Sequence, residues 1–189
     1  MLNRLSAFIG DDNGPWRVTR IDALCGEPLP TVQRIAVVTG AKALAQQSWL
    51  LRGVTSNERY VGTEEKQKLL AVQEGLGRTQ ATMAALIPIR KSAAWWLLSQ
   101  QERREILEER SHHIQIGMAY LPAIARRLFH CRDLGIPAAN GEPFDFLTWF
   151  EFAPGDTPRF DDLLAELRGT LEWTFVERET EIRLVRIAD

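Results

Sequence analysis

Apolar positions in the first part of the chain fall in short runs separated by turns that contain Gly or Pro. WRVTRIDAL (16–24), RIAVV (34–38) and SWLLRGV (48–54) are rich in Val, Ile, Leu and Trp, which predicts three strands. TEEKQKLLAVQEGLG (63–77) has helical spacing, with Thr63 as N-cap and glycines at its end, and predicts a helix. ATMAALIPIR (81–90) predicts an apolar strand that Pro88 places at an edge or a bulge. Ser99 and Glu102 form a capping-box pattern that opens one long helix, stopped near Pro122.

The remainder continues in the same style. AIARRLFHC (123–131) and PFDFLTWFEF (143–152) predict two strands, and alternation puts Phe144, Phe146, Thr148, Phe150 and Phe152 on one face. GIPAANGEP (135–143) between them reads as a loop. A helix starts at Asp156-Thr157-Pro158 and runs through DDLLAELR (161–168), with Pro in its first turn. EWTFVER (172–178) and TEIRLVRIA (180–188) predict two closing strands. Strands and helices alternate in two similar halves, with enough hairpins to favour α+β over a parallel α/β sheet.

Composition narrows the function classes. The 189 residues are enough to bury a sizeable core, and 45% apolar with 25% charged residues is ordinary for a soluble domain. A formal net charge of −2 leaves no basic footprint for nucleic acid. The longest apolar runs, such as Ala93–Leu98, are far too short for a bilayer, and the N-terminus lacks a signal-peptide core. The two cysteines, Cys25 and Cys131, have no metal-type spacing. Together these predict a cytoplasmic protein in a reducing compartment, with no membrane partner.

All three histidines lie between residues 112 and 130. On a continuous helix Ile106, Arg110, His113, Gly117 and Tyr120 form one stripe. His112 points about 100° away, towards Glu105, Glu108, Glu109 and Gln115. His113 is therefore the inward candidate, and Gly117 one turn later leaves space beside it for something flat. A single inward histidine is most often a hydrogen-bonded core residue. As a ligand it cannot hold zinc or non-haem iron, which need several protein donors, but it can hold haem iron. On the next strand Arg126, Leu128 and His130 share one face; Arg127, Phe129 and Cys131 share the other. Whichever arginine faces inward needs a carboxylate or an anionic ligand. Trp95-Trp96 reads as core or interface packing.

The blocks ALIPIRKSAAWW, HIQIGMAYLPAIARRLFHCRDLG, EPFDFLTWFEFAP and EWTFVERETEIRLVR, in this order and spacing, resemble the chlorite dismutase family in its short, dimeric lineage. The resemblance covers roughly residues 48–189. It implies a dimeric α+β barrel type of fold: two ferredoxin-like halves forming a β-barrel-like core with flanking helices, the N-terminal half abbreviated. The halves would be residues 1–91 and 92–189 of one compact domain. It also implies a homodimer containing haem b (iron protoporphyrin IX). Such an enzyme decomposes chlorite to chloride and dioxygen, by oxygen transfer to ferric haem and recombination with a retained chlorine monoxide fragment.

Residue by residue, the resemblance makes His113 the proximal ligand, Glu172 its hydrogen-bond acceptor and Arg126, rather than Arg127, the distal arginine. Gln73 would hold Arg126, while Leu128, Thr148 and Phe150 line the distal pocket. Ile87, Lys91, Trp95 and Trp96 would contact haem, Lys91 through a propionate, with Asn57 and Tyr60 as further propionate contacts. Ile136–Gly141 intervene where the family pattern runs almost directly from RDLG into EPFDF; a surface insertion of this size costs little closure entropy. The alternatives are a coproheme decarboxylase-like enzyme of the same superfamily, which lacks the distal arginine, a non-catalytic haem-binding protein, and a haem-free α+β barrel.

Overall fold

A computed structural model describes residues 4–40, 47–55, 75–135 and 141–187. Eight antiparallel strands close into a barrel: β1 (Leu5–Asp11), β2 (Trp16–Cys25), β3 (Arg34–Thr39), β4 (Trp49–Val54), β5 (Met83–Lys91), β6 (Ala125–His130), β7 (Phe146–Phe152) and β8 (Val176–Arg186). Around the barrel they stand in the order β1-β3-β2-β8-β5-β7-β6-β4, and β4 returns to β1. The four strands from before residue 55 are thus contiguous, as are the four from after residue 82. Helices lie on the outside: α1 (Ala93–Leu97), α2 (Gln100–Arg104), α3 (His113–Ala119) and α4 (Thr157–Arg168).

Two apolar layers hold this arrangement. The barrel interior is filled by Phe8, Trp16, Ile35, Leu86, Trp149 and Leu184 with their neighbours. Ring pairs lock it: Phe8–Phe129 at 5.1 Å and Trp16–Trp149 at 5.2 Å, both edge-to-face. Gly10 has no side chain because a β-carbon there would overlap the Trp49 ring. The second layer lies outside the sheet. On α4, Phe160, Leu163, Leu164 and Leu167 recur at helical spacing and pack on Ala85, Phe150 and Phe152. This second layer, between sheet and helices, positions the candidate site.

The predicted strands at 16–24, 34–38 and 48–54 appear within a residue or two of their expected limits. The helix expected over 63–77 lies almost wholly outside the described residues. Four expectations are corrected. Pro88 is neither at an edge nor at a bulge: β5 is flanked by β7 and β8, and the β8 ladder simply omits Ile87 and Pro88, where proline has no N–H to give. Phe144 does not share the face of Phe150; it precedes β7 and enters the barrel interior. Two closing strands become one: residues 171–175 form a 3₁₀ turn, and β8 runs unbroken because nothing in 178–180 breaks a strand.

The fourth correction is the long helix. Its capping box is present, with Ser99 Oγ accepting the Glu102 N–H and Glu102 accepting the Ser99 N–H. The helix then widens into a π-helical turn over Glu105–Arg110 and breaks at His112, which adopts a left-handed conformation (φ 51°, ψ 34°). His113 opens a new helix, so the stripe traced from Ile106 is not continuous. No helix among the described residues is long and apolar enough to cross a membrane.

Candidate functional site

His113, the first residue of α3, directs its Nδ1 to Glu172 Oε2 at 2.6 Å. Glu172 sits on the 3₁₀ turn between α4 and β8 and is 5% exposed. Its other oxygen accepts from Lys91 Nζ at 2.9 Å, and Lys91 also donates to the Glu172 carbonyl at 3.1 Å. Lys91 is itself 4% exposed, at the end of β5, with its ammonium 4.8 Å from the centre of the Trp95 ring. Its backbone N–H is held by Asp145. The result is a buried chain, Lys91–Glu172–His113, drawn from three elements.

Burial alone would push the Glu172 carboxyl up. The opposing charges and hydrogen bonds of His113, then Lys91, outweigh it and hold the group at about 2. Glu172 is therefore ionised and can only accept, so the His113 proton sits on Nδ1. That leaves Nε2 with its lone pair directed away from Glu172, on a side chain that is 30% exposed. An imidazole whose Nδ1 is engaged by a carboxylate and whose Nε2 faces away from it is a prepared metal donor.

Facing this helix is the outer side of β5, β7 and β6. Strand register places Thr148 between Ile87 and Leu128, and Phe150 between Ala85 and Arg126. Ile87 and Phe150 are buried, whereas Leu128 is 43% exposed, unusual for a large apolar side chain within a sheet. Arg126 is half-buried on this face and Arg127 is exposed on the other. The Arg126 guanidinium reaches across to α3. A β-carbon on Gly117 would lie 2.6 Å from both its Cζ and Nη2. The space beside Gly117, expected to stay open, is thus taken by a planar guanidinium.

At the next register step lies Phe146, 5.3 Å from the His130 ring and stacked 6.0 Å from Trp96. Guanidiniums of Arg132 and Arg103 lie 4.0 and 5.4 Å from the Trp96 ring. Trp96 Nε1 is buried with no hydrogen-bond partner among the described residues. Trp95 is 3% exposed and packs on Phe175 at 5.5 Å.

The structure therefore gathers His113, Glu172, Lys91 and Trp95 into one cluster. It gathers Ile87, Leu128, Thr148, Phe150 and Arg126 on one wall, and Trp96 at that wall's end. Gln73, Asn57 and Tyr60 lie outside the described residues. Lys91, expected at a propionate, donates to Glu172, which gives its buried ammonium an anion at hand. Sequence reasoning missed Ser111, whose hydroxyl accepts the Glu172 backbone N–H at 3.0 Å. No periodic signal marks it, since residues two apart on a helix do not share a face. His112 lines an open groove with Glu108, Gln115 and Met118.

These residues fit a planar cofactor bound through one imidazole. Among the described residues no three His, Cys, Asp or Glu side chains converge into a metal-binding group, and the donor these residues offer is the single Nε2 of His113. A macrocycle that brings its own four nitrogens matches that donor. The apolar wall of Ile87 and Phe150 and a buried indole N–H without a partner, that of Trp96, add to the fit, while the space beside Gly117 is filled by Arg126.

Comparison with known proteins gives consistent results. The chlorite dismutase family model matches residues 27–187. Chlorite dismutase of Ideonella dechloratans is 30% identical over 122 residues, which is 62% of this chain and 38% of that protein. The chain therefore spans well under half of that curated relative. The crystal structure of dimeric chlorite dismutase from Nitrobacter winogradskyi superposes with a TM-score of 0.87 at 53% identity, covering 96% of this chain and 99% of the other. Chlorite dismutase from Candidatus Nitrospira defluvii, in complex with imidazole, superposes with a TM-score of 0.68 at 19% identity, covering 98% and 92%; at that identity the likeness concerns the fold.

Proposed function

The chain belongs to the chlorite dismutase family, and from that premise we propose that it is a haem b enzyme that decomposes chlorite to chloride and dioxygen. The observation that carries this reading is the His113–Glu172–Lys91 chain, which fixes one imidazole with Nε2 free to bind iron. Haem bound there supplies an iron centre able to take an oxygen atom from chlorite and to return it as half of dioxygen.

The overall change, ClO₂⁻ to Cl⁻ and O₂, consumes and releases no proton, so no side chain has to serve as an acid or base. The residues instead bind, orient and confine. Glu172 draws on the Nδ1 proton of His113 and so strengthens Nε2 as a donor. Lys91 keeps Glu172 ionised and in place. Arg126 presents a permanent positive charge on a wall of apolar side chains, where an anion is held more strongly than in water. Leu128, Thr148 and Phe150 would give the remaining chlorine-containing fragment few polar contacts along a way out, and so slow its escape before it supplies the second oxygen atom of dioxygen. Gln73 would hold Arg126, with Asn57 and Tyr60 at the propionates.

The barrel is read as two ferredoxin-like halves. Strand order supports this: β4-β1-β3-β2 and β8-β5-β7-β6 repeat one pattern, fourth, first, third, second. The halves then divide between β4 and β5 rather than after Lys91. The first lacks a helix between its first two strands, which are joined by residues 12–15 alone. We place the protein in the cytoplasm, which suits two free cysteines, and as a homodimer like its Nitrobacter winogradskyi relative.

Hemin titration tests the ligand assignment. The wild-type chain should bind one equivalent with a sharp Soret band, and His113→Ala should lose that band. An unaltered spectrum in the variant would move the ligand elsewhere.

A further inference from the structure

Residues two apart on a continuous helix point about 200° from each other and do not share a partner. Ser111 and His113 nevertheless grip the same residue. The Ser111 hydroxyl accepts the Glu172 backbone N–H at 3.0 Å, and His113 Nδ1 meets the Glu172 carboxylate at 2.6 Å. The left-handed break at His112 makes this possible, by ending the π-helical turn before His113 opens α3. Among the described residues His112 is the one non-glycine with positive φ, a conformation that a β-carbon disfavours. A disfavoured conformation persists where surrounding contacts enforce it. Here the contacts on either side of it are the two bonds to Glu172.

We propose that Ser111 is a positioning residue for the His113–Glu172 pair. This rests on reading His113 as the haem ligand. The far end of the Glu172 turn is fixed by Ser92, whose N–H donates to the Phe175 carbonyl at 2.7 Å, and by Trp173, whose indole donates to Glu179 at 2.8 Å. Ser111, 3% exposed, ties the near end to the segment that carries His113. Lys91 holds the Glu172 carbonyl and carboxylate from β5; Ser111 ties the Glu172 backbone to the segment that carries His113, so Oε2 stays in line with Nδ1. Without the Ser111 tie, the turn can drift from α3 and the carboxylate ceases to support the imidazole.

The test uses the full chain loaded with hemin, and reads the haem reduction potential and the hemin dissociation constant. Ser111→Ala should raise the potential, as the imidazole loses basicity, and weaken hemin binding about tenfold, the low end of the loss caused by outer partners of a metal ligand. Ser111→Thr, which keeps the hydroxyl, should restore both. In a Glu172→Gln background Ser111→Ala should shift neither. A wild-type potential in Ser111→Ala overturns the proposal, as does an equal shift with Gln at 172, which marks a merely structural role. Hemin bound equally well, at an unchanged potential, by His113→Ala would instead overturn the ligand assignment beneath it.

Discussion

Replacing Glu172 by Gln isolates the central buried interaction at almost no change in volume. The Glu172 carboxyl is held at about 2 against an ordinary value of 4.5. At about 1.4 kcal/mol per unit, ionised Glu172 contributes on the order of 3 kcal/mol to folding at neutral pH. Breaking the pair with Lys91, whose side chain is 3% exposed, predicts a loss of the same order, about 3–5 kcal/mol, because the ammonium stays buried without an anion. The folded-state pKa is depressed, so this stability is fully present above pH 4.5 and is lost as pH falls from there towards 2. Urea unfolding of both proteins, prepared without haem and compared from pH 7 to pH 2.5, should show a gap of about 3 kcal/mol at pH 7 that closes below pH 4.5. The double variant Lys91→Met with Glu172→Gln should recover much of the loss. Equal stability at pH 7, or a gap that ignores pH, would refute the ion chain.

Other consequences are more local. Gly117→Ala should leave stability unchanged or raise it by up to about 1 kcal/mol, since Ala is the better helix former and the guanidinium in its way is the end of a flexible side chain. It should nonetheless displace Arg126 and release more scavengeable hypochlorite during turnover; an unchanged product balance would argue against the contact. Arg126→Ala should retain haem but evolve less dioxygen and leak more oxidant, read with an oxygen electrode and a chlorinatable dye. Phe160→Ala removes a buried ring stacked 4.6 Å from Phe152 and should cost about 3–5 kcal/mol in chemical denaturation.

Most of the strands were legible because half-buried sheets leave a period of two in the sequence. β1 was not legible: LSAFIGD is buried on both faces, in the barrel interior and outside it, so no alternation survives. The break at His112 was also invisible. Neither Gly nor Pro marks it, and the residue gripped on both sides of it, Glu172, lies 59 residues away along the chain from His113. Helical phase still selected His113 over His112, although the stripe behind that choice is interrupted. Alternation separated Arg126 from Arg127 but could not say which mattered, because alternation alone does not tell which face other elements cover. Outer-face packing against α3 is what sets Arg126 apart. Lys91 was placed at a haem propionate by the resemblance; its partner Glu172 lies 81 residues away, and no local pattern encodes that distance.

Dissolved oxygen recorded as chlorite is added to the hemin-loaded protein tests the account most directly. The wild-type chain should release about one dioxygen per chlorite consumed, and His113→Ala under the same conditions almost none. Haem bound with a normal spectrum but no oxygen evolved, or equal oxygen from the variant, would contradict it.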